Sequence, residues 1–150
     1  MFRVKPQMDP TPSSKVQVEN QNIQVFIRSR PLKENERRNK IEILPDSAVV
    51  KAPQRTYMFD NVYDGKASQM SVYRDVVSPL VGEVVEGYNC TVFAYGQTGT
   101  GKTHTMVGYR DNENVSWEND PSSGIIPRAI DQLWTFYKTH MVNSVFVYRF

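Results

Sequence analysis

A chain of 150 residues is long enough for one ordinary domain and too short for two. With 39% hydrophobic and 23% charged residues, its composition is that of a globular domain and excludes disordered and collagen-like classes. The formal net charge of +2 gives no electrostatic reason to expect nucleic acid or an acidic membrane as a partner. The sequence also has no apolar run near the ~20 residues that span a bilayer. A single cysteine, Cys90, excludes an intrachain disulfide and a cysteine-cluster metal site.

The first part of the chain predicts an arm followed by short strands. Residues 1–21 contain three prolines and a serine pair, which favour a flexible N-terminal arm without a signal peptide. Apolar residues then alternate from Ile23 to Ile27 and predict a strand that ends at Pro31. Further short strands are predicted at 41–44, 48–50 and 55–60.

Residues 68–86 carry two adjacent rows of apolar side chains spaced four apart, which predict a helix that packs on a sheet. Ser68 or Ser71 can cap its start and Gly87 can end it. Pro79 lies inside this segment and should kink or split the helix. The following run, 90–95, is almost entirely apolar and predicts a strand covered on both faces.

The last third of the sequence predicts an interrupted helix. A short helix begins after Lys102 and is followed by a polar loop at 109–123. Helical periodicity returns between Ile126 and Tyr137, and a strand is predicted at 145–148.

Residues 96–103 fit the phosphate-loop pattern, in which two glycines separated by four residues precede Lys and Thr. The glycines allow successive backbone N–H groups to face one concavity, and the following helix start favours an anion. Lys102 would supply a mobile positive charge for the β- and γ-phosphates, and Thr103 a hydroxyl for Mg²⁺. A buried strand before the loop and a helix after it are the context that such a loop requires.

Four segments in the right order make the sequence similar to a known family. Residues 86–106, which contain the phosphate loop, resemble the kinesin motor domain throughout, and so do residues 23–31, 57–63 and 124–129. The resemblance covers residues 22–150. It implies the α/β P-loop NTPase fold of that family, with a mixed, mostly parallel central sheet and helices on both faces.

The resemblance also implies the bound groups, ATP and Mg²⁺, and the residues that hold them. The phosphate-loop positions are Gly96, Gln97, Thr98, Gly99, Thr100, Gly101, Lys102 and Thr103, with Thr103 as the Mg²⁺ ligand. Arg28, Arg30 and Pro31 match positions that line the adenine, and His104 matches one that stacks on it.

The polar loop narrows the resemblance to the bipolar mitotic-spindle kinesins, in which this loop is extended and allosteric. Trp117 and the residues up to Pro121 carry that likeness. A departure stands at Val107, where those motors usually have Glu. The alternative interpretation is a solvated surface loop with one aromatic side chain held against the surface.

Two motifs needed for hydrolysis do not occur in these 150 residues: the serine-rich first switch and the Asp-x-x-Gly second switch. The resemblance places both downstream, together with the microtubule-binding helix and a coiled-coil stalk for oligomerisation. We therefore expect the N-terminal part of a motor that acts on microtubules in the cytoplasm, most simply at the spindle. We expect no catalytic residue and no activity in this chain alone.

Two other functions remain open at this point. The chain could be a non-catalytic nucleotide-binding fragment, or belong to a small-molecule kinase or GTPase. The last class is disfavoured because its phosphate loop usually follows the first strand, and because no Asn-Lys-x-Asp motif occurs. The phosphate-loop strand is also expected to lack a neighbour, since the family pairs it with a strand from the missing half. Unpaired backbone groups would then make the fragment marginally stable.

Overall fold

The computed structural model describes residues 2–7, 23–31, 41–109, 117 and 120–144. The strands are β1 Phe2–Gln7, β2 Gln24–Arg28, β3 Glu42–Leu44, β4 Val49–Ala52, β5 Arg55–Met58, β6 Asn61–Tyr63 and β7 Asn89–Phe93. The helices are α1 Gln69–Val76, α2 Ser78–Val85, α3 Lys102–Met106 and α4 Ile125–Ser144, with a 3₁₀ turn at Pro45–Ser47. None of the described helices is long and apolar enough to cross a membrane. The strand predicted at 145–148 lies outside the described residues.

The main sheet has four strands in the order β6-β2-β1-β7. β2 and β6 are parallel, with Ile27 opposite Val62, whereas β1 runs antiparallel to both β2 and β7. β2, β6 and β7 therefore point in one direction, with β1 reversed between them. The predicted mixed sheet is present, but the prediction of mostly parallel pairing is wrong among the described strands because β1 reverses the pairing at the centre.

Strand β1 corrects one expectation. Residues 2–7 belong to the sheet, so the predicted flexible arm over 1–21 is wrong for this stretch; residues 8–22 lie outside the described part. Phe2 and Val4 are spaced as in a strand, although the prolines dominate the composition nearby. β1 pairs with β7 on one side, with Phe2 opposite Phe93, while the described strands place no neighbour on the other side of β7. Its register shifts between Val4 and Gln7, where Pro6 has no N–H to donate.

The long helical segment is split as its proline predicts. α1 and α2 are separated at Val77, and Pro79 lies in the first turn of α2, where a missing N–H costs no helical hydrogen bond. The Ser68 side chain caps α1 by accepting a 3.0 Å hydrogen bond from the Ser71 N–H. Gly87 follows α2 with a φ of +99°, which terminates the helix as predicted.

The core lies where α1, α2 and the start of α4 pack on one face of the sheet. Its buried members are Phe26, Tyr63, Val72, Tyr73, Val76, Val77, Val81 and Ile125. Leu133 packs against this cluster from α4, whereas Ile130, Trp134 and Tyr137 of the predicted periodicity are exposed. Val84, which we expected in the apolar face, is also 40% exposed.

β7 is covered on one face rather than on both. Cys90 and Val92 are half-buried, while Thr91 and Phe93 are exposed. The prediction of a strand covered on both faces is therefore wrong for the part of the chain that the structure describes. The helical core covers the face of β7 that carries Val92, and β7 forms the edge of the four-stranded sheet.

A second, antiparallel sheet has the order β3-β4-β5. Val50 pairs with Ile43 on one side and with Tyr57 on the other. The strands predicted in this region are confirmed with small shifts of their ends, and the residues around 45–46 form the turn between the first two. This sheet packs beside β6 and away from the helical core.

The loop that interrupts the last helix is closed at its foot by two glycines. Gly108, with a φ of +90°, forms a bridge with Ser123, and the Gly124 N–H donates to the Val107 carbonyl at 3.0 Å. A Cβ on Gly124 would lie 2.6 Å from the Gly108 nitrogen. The two backbones can approach this closely only because neither residue has a side chain.

We predict that Gly124→Ala destabilises the fold, because its methyl group would collide with backbone atoms that cannot rotate away. Overpacking of this kind typically costs about 1–3 kcal/mol. Gly82→Ala is the matched control, since nothing lies within 4 Å of its Cβ position and Gly82 is inside helix α2. That change should be neutral or stabilising by up to ~1 kcal/mol. The urea midpoints of both variants measure the difference, and equal midpoints would contradict the close approach.

Candidate functional site

The loop between β7 and α3 adopts a conformation that depends on its glycines. Gly99 has a φ of +81° and Gly101 a φ of +97°, both in the left-handed region where a side chain would be strained. Thr100 tightens the turn by donating from its hydroxyl and from its N–H to the Gln97 carbonyl, at 2.8 and 3.3 Å. Gly96, Thr100 and Gly101 of the sequence pattern line a concavity in the surface, whereas Gln97, Thr98 and Gly99 do not.

Lys102 lies across this concavity. Its ammonium donates to the Gly96 carbonyl at 2.8 Å and to the Gln97 carbonyl at 2.9 Å. Because an ammonium has three donors, these two bonds hold the charge at the loop and leave capacity for a further acceptor. The positive charge is therefore held beside the loop.

A cavity of about 520 Å³ opens beside the loop. Three segments form its walls: the end of β2 with residues up to Pro31, the turn after β6, and the loop with the first turn of α3. This volume is within the usual range of small-molecule sites.

The structure brings together most of the residues that the sequence selected. Arg28, Arg30, Pro31, Gly96, Thr100, Gly101, Lys102 and His104 line the cavity. Gln97, Thr98, Gly99 and Thr103 belong to the same loop and helix start, but they do not line the cavity. The Thr103 side chain is exposed in the first turn of α3.

Arg28 and Arg30, which the sequence grouped together, are oriented differently. The Arg28 guanidinium donates to Gln69 Oε1 at 2.6 Å and to Thr105 Oγ1 at 3.1 Å, and reaches the Ala67 carbonyl at 3.4 Å. Burial lowers the pKa of Arg28 from its usual value. Arg30 is exposed and donates to the Pro31 carbonyl at 3.1 Å. Arg28 is thus fastened into the protein, whereas Arg30 faces solvent.

His104 borders the cavity with an uncharged ring. Burial lowers its pKa first, and the nearby Arg28 charge lowers it further. Both effects favour the neutral form of the imidazole. A neutral ring is suited to stacking on a flat ligand without repelling Arg28.

The sequence analysis did not select Gln69, although it is buried beside the cavity with 6% of its surface exposed. Its amide nitrogen donates to the His104 carbonyl at 2.6 Å and to the Ser122 carbonyl at 3.1 Å, while its oxygen accepts from Arg28. A sequence signal does exist. Gln69, Val72, Tyr73 and Val76 share one helical face, so a polar residue stands at the first position of an apolar stripe.

Gly65 is a second residue that the sequence analysis did not select, and it shapes the wall of the cavity. A Cβ at this position would lie 2.9 Å from Pro31 Cα and 2.9 Å from the Pro31 nitrogen. The turn after β6 can therefore approach the end of β2 only with glycine here. Sequence spacing carried no signal for this contact, because the two segments lie more than thirty residues apart.

The donor set fits a phosphate better than a bare metal ion. The described residues contain no group of three or more His, Cys, Asp or Glu that could hold a metal. The loop concavity and Lys102 are suited to phosphate oxygens, and Thr103 offers a single hydroxyl. Mg²⁺ commonly takes one or two protein ligands together with phosphate oxygens and water, so this set is compatible with a phosphate-bound Mg²⁺.

A buried arginine holds the foot of the extended loop near this site. Arg128 of α4 donates to the carbonyls of Ser123, Asp120 and Pro121, at 3.0, 3.1 and 3.1 Å. The Ser123 hydroxyl donates to the Trp117 carbonyl at 2.7 Å. Residues 110–116 and 118–119 of the loop lie outside the described part.

Comparison with known proteins identifies the family of this chain. Residues 3–149 match the family model of the kinesin motor domain. The match begins before residue 22, where we expected the resemblance to start, and so includes β1.

Named relatives are similar over most of this chain. Kinesin-like protein KIF11 from Mus musculus is 42% identical over 139 residues, which is 83% of this chain and 13% of the relative. Kinesin-like protein Klp61F from Drosophila melanogaster is 48% identical over 126 residues, 77% of this chain and 12% of the relative. Kinesin-like protein KIN-5A from Arabidopsis thaliana is 39% identical over 147 residues, 89% of this chain and 14% of the relative. The chain thus spans about an eighth of the length of these relatives, and it belongs to the kinesin motor domain family.

Proposed function

We propose that this chain is the nucleotide-binding part of a microtubule motor, and that it binds ATP with Mg²⁺ at the cavity beside residues 96–103. The observation that carries the proposal is the position of Lys102 across a loop whose glycines have positive φ angles. Arg30 and Pro31 would contact the adenine from the wall at the end of β2, and His104 from the first turn of α3. In the complete protein, ATP hydrolysis would drive movement along microtubules, as the family membership suggests.

The extended loop and the similarity to KIF11 support a finer assignment, to the bipolar motors of the mitotic spindle. The microtubule contact and the oligomerising stalk would then lie outside these residues. When bound, Mg²⁺ would neutralise phosphate charge and would be held in this chain by the Thr103 hydroxyl. The chain's own contribution is to bind, orient and enclose the nucleotide.

We predict that Lys102→Ala weakens ATP binding by about tenfold to a hundredfold, the range expected for hydrogen bonds to charged groups. Titration with ATP that carries a fluorescent methylanthraniloyl group on its ribose measures the dissociation constant. Lys51→Ala is the matched control, because it removes the same charge from β4, where Lys51 pairs with Glu42 at 3.6 Å on the surface. An equal affinity in the Lys102 variant and the control would contradict the proposed phosphate site.

We also predict weak discrimination between bases. The Arg28 donors bond to the protein itself, and the residues assigned to the base, Arg30, Pro31 and His104, offer stacking and one exposed, flexible guanidinium instead of a fixed hydrogen-bond pattern. GTP should therefore bind within about one or two orders of magnitude of ATP. Competition of both nucleotides against the fluorescent ATP measures this ratio. Discrimination of ~10⁴ or more, the level that a hydrogen-bonding site reaches, would reveal a polar base reader that this assignment lacks.

The chain by itself should show no microtubule-stimulated hydrolysis. Turnover requires groups that orient water and sense the γ-phosphate, and the serine-rich and Asp-x-x-Gly switch motifs do not occur in the 150 residues. Phosphate release is measured with and without microtubules. Stimulated turnover near one per second, roughly the low end for ordinary enzymes, would contradict this expectation and show that other residues replace the switches.

A further inference from the structure

The Gln69 side chain joins three segments that surround the cavity. Its amide oxygen accepts from the Arg28 guanidinium at 2.6 Å, and its nitrogen donates to the His104 carbonyl at 2.6 Å and to the Ser122 carbonyl at 3.1 Å. β2, α3 and the foot of the extended loop thus meet at one group.

The chemistry of the partners fixes the orientation of this amide. Arginine has donors only, so the group facing Arg28 must be the oxygen. Backbone carbonyls only accept, so the group facing His104 and Ser122 must be the nitrogen. Both N–H donors and the oxygen of the amide are thereby used. No other uncharged side chain of this length offers an acceptor on one side and two donors on the other.

We propose that Gln69 is a positioning residue for nucleotide binding. It holds the Arg28 guanidinium in a fixed position at the cavity wall and orients the first turn of α3, which carries Lys102 and His104. The inference rests on the proposed function, since it concerns how that same site is kept in shape. Gln69 itself does not line the cavity and acts through Arg28 and the α3 backbone.

The neighbouring contacts explain why the position needs this residue. Arg28 has one other side-chain acceptor, Thr105 Oγ1 at 3.1 Å, and Thr105 is also buried. Without the Gln69 oxygen, this half-buried cation would keep only the Thr105 hydroxyl and the Ala67 carbonyl at 3.4 Å, and its guanidinium would be free to reorient toward solvent. Because Arg28 and His104 line the same cavity, such a reorientation would disturb the surface that faces the base.

The test compares Gln69→Met with the same substitution at a second glutamine whose side-chain amide also accepts and donates hydrogen bonds. Gln132 on α4 accepts from the Tyr73 hydroxyl and donates to the Ser78 carbonyl at 3.3 Å, without lining the cavity. Gln132→Met therefore removes buried hydrogen bonds from the same core without touching the site. Both variants of the full chain are titrated with the fluorescent methylanthraniloyl ATP, and their urea midpoints are recorded.

We expect both variants to lose stability, but only Gln69→Met to lose much of its affinity for the fluorescent ATP. Both midpoints should fall, whereas the dissociation constant should rise about tenfold or more in Gln69→Met, as for a lost bond to a charged group, and by less than about twofold in Gln132→Met. Equal affinities in the two variants would overturn the proposal and leave Gln69 a structural residue only.

A double-mutant cycle distinguishes coupling between Gln69 and Arg28 from a general destabilisation of the fold. If Gln69 acts through Arg28, then Arg28→Met combined with Gln69→Met should weaken binding less than the product of the single effects. Effects that simply multiply would overturn the proposal. Should Gln69→Met fail to fold, Gln69→Glu takes its place, because it keeps the acceptor for Arg28 and removes only the two donors. It should weaken binding as well, and an affinity equal to that of the unsubstituted chain would overturn the proposal.

ATP binding by the unsubstituted chain shows whether a failure concerns the role of Gln69 alone or the proposed function itself. If it binds the fluorescent ATP and Gln69→Met binds equally well, only the role of Gln69 is overturned. If the unsubstituted chain does not bind ATP at all, the proposed function fails, and this inference fails with it.

Discussion

A guanidinium that is removed from water must keep hydrogen-bond acceptors around it, and the described fold supplies them to the half-buried Arg28 and the buried Arg128. Removing a charge from water is costly unless it is paired or fully hydrogen-bonded. Arg28 takes its acceptors from α1, α3 and the residues between β6 and α1, and Arg128 takes backbone carbonyls at the foot of the loop. Segments distant in sequence are thereby drawn together at the cavity and at the loop. Apolar side chains that pack against each other can shift position, whereas these hydrogen bonds have fixed lengths and directions.

The same arrangement explains how a long insertion is tolerated next to a binding site. Each doubling of a loop's length adds only about 0.6 kcal/mol of closure entropy, so its residues cost little provided that its ends are held. Here the ends are held closely, by the backbone contact of Gly108 with Gly124 and by the carbonyls that Arg128 gathers. The Ser122 carbonyl at this foot also bonds to Gln69. The loop's attachment is therefore continuous with the wall of the cavity, although its tip lies outside the described residues.

Local signals in the sequence predicted local structure well. Ser68, Pro79 and Gly87 each act through their own backbone or side chain, and the cap, the split and the end of the helices fall at or beside them. The loop at 96–103 was predictable for the same reason, since its conformation is set by glycines within it. The family resemblance came from these same short segments.

What the sequence could not show depends on partners far along the chain. The pairing of β1 with β7 joins residues about ninety positions apart, and a proline-rich composition concealed it. The direction of the Arg28 side chain depends on Gln69 and Thr105, so a motif that groups Arg28 with Arg30 cannot distinguish their roles. On α4, periodicity identified the helix but not the face that packs. Which of its residues pack, here Ile125 and Leu133, depends on the elements that lie beside the helix.

The hydrogen bonds of Lys102 have two opposing effects on the affinity that the loop would have for a phosphate. An ammonium that is bonded to the Gly96 and Gln97 carbonyls is already ordered, so a phosphate would not have to immobilise a free, flexible lysine. The same carbonyls compete with the phosphate for its donors, and any bond that is exchanged lowers the net gain to that of a typical intramolecular hydrogen bond. Charge then decides the outcome, since a phosphate oxygen is a stronger acceptor for an ammonium than a neutral carbonyl. The Lys102 ammonium is therefore held by neutral carbonyls that a phosphate would outcompete as acceptors, whereas a neutral ligand would not.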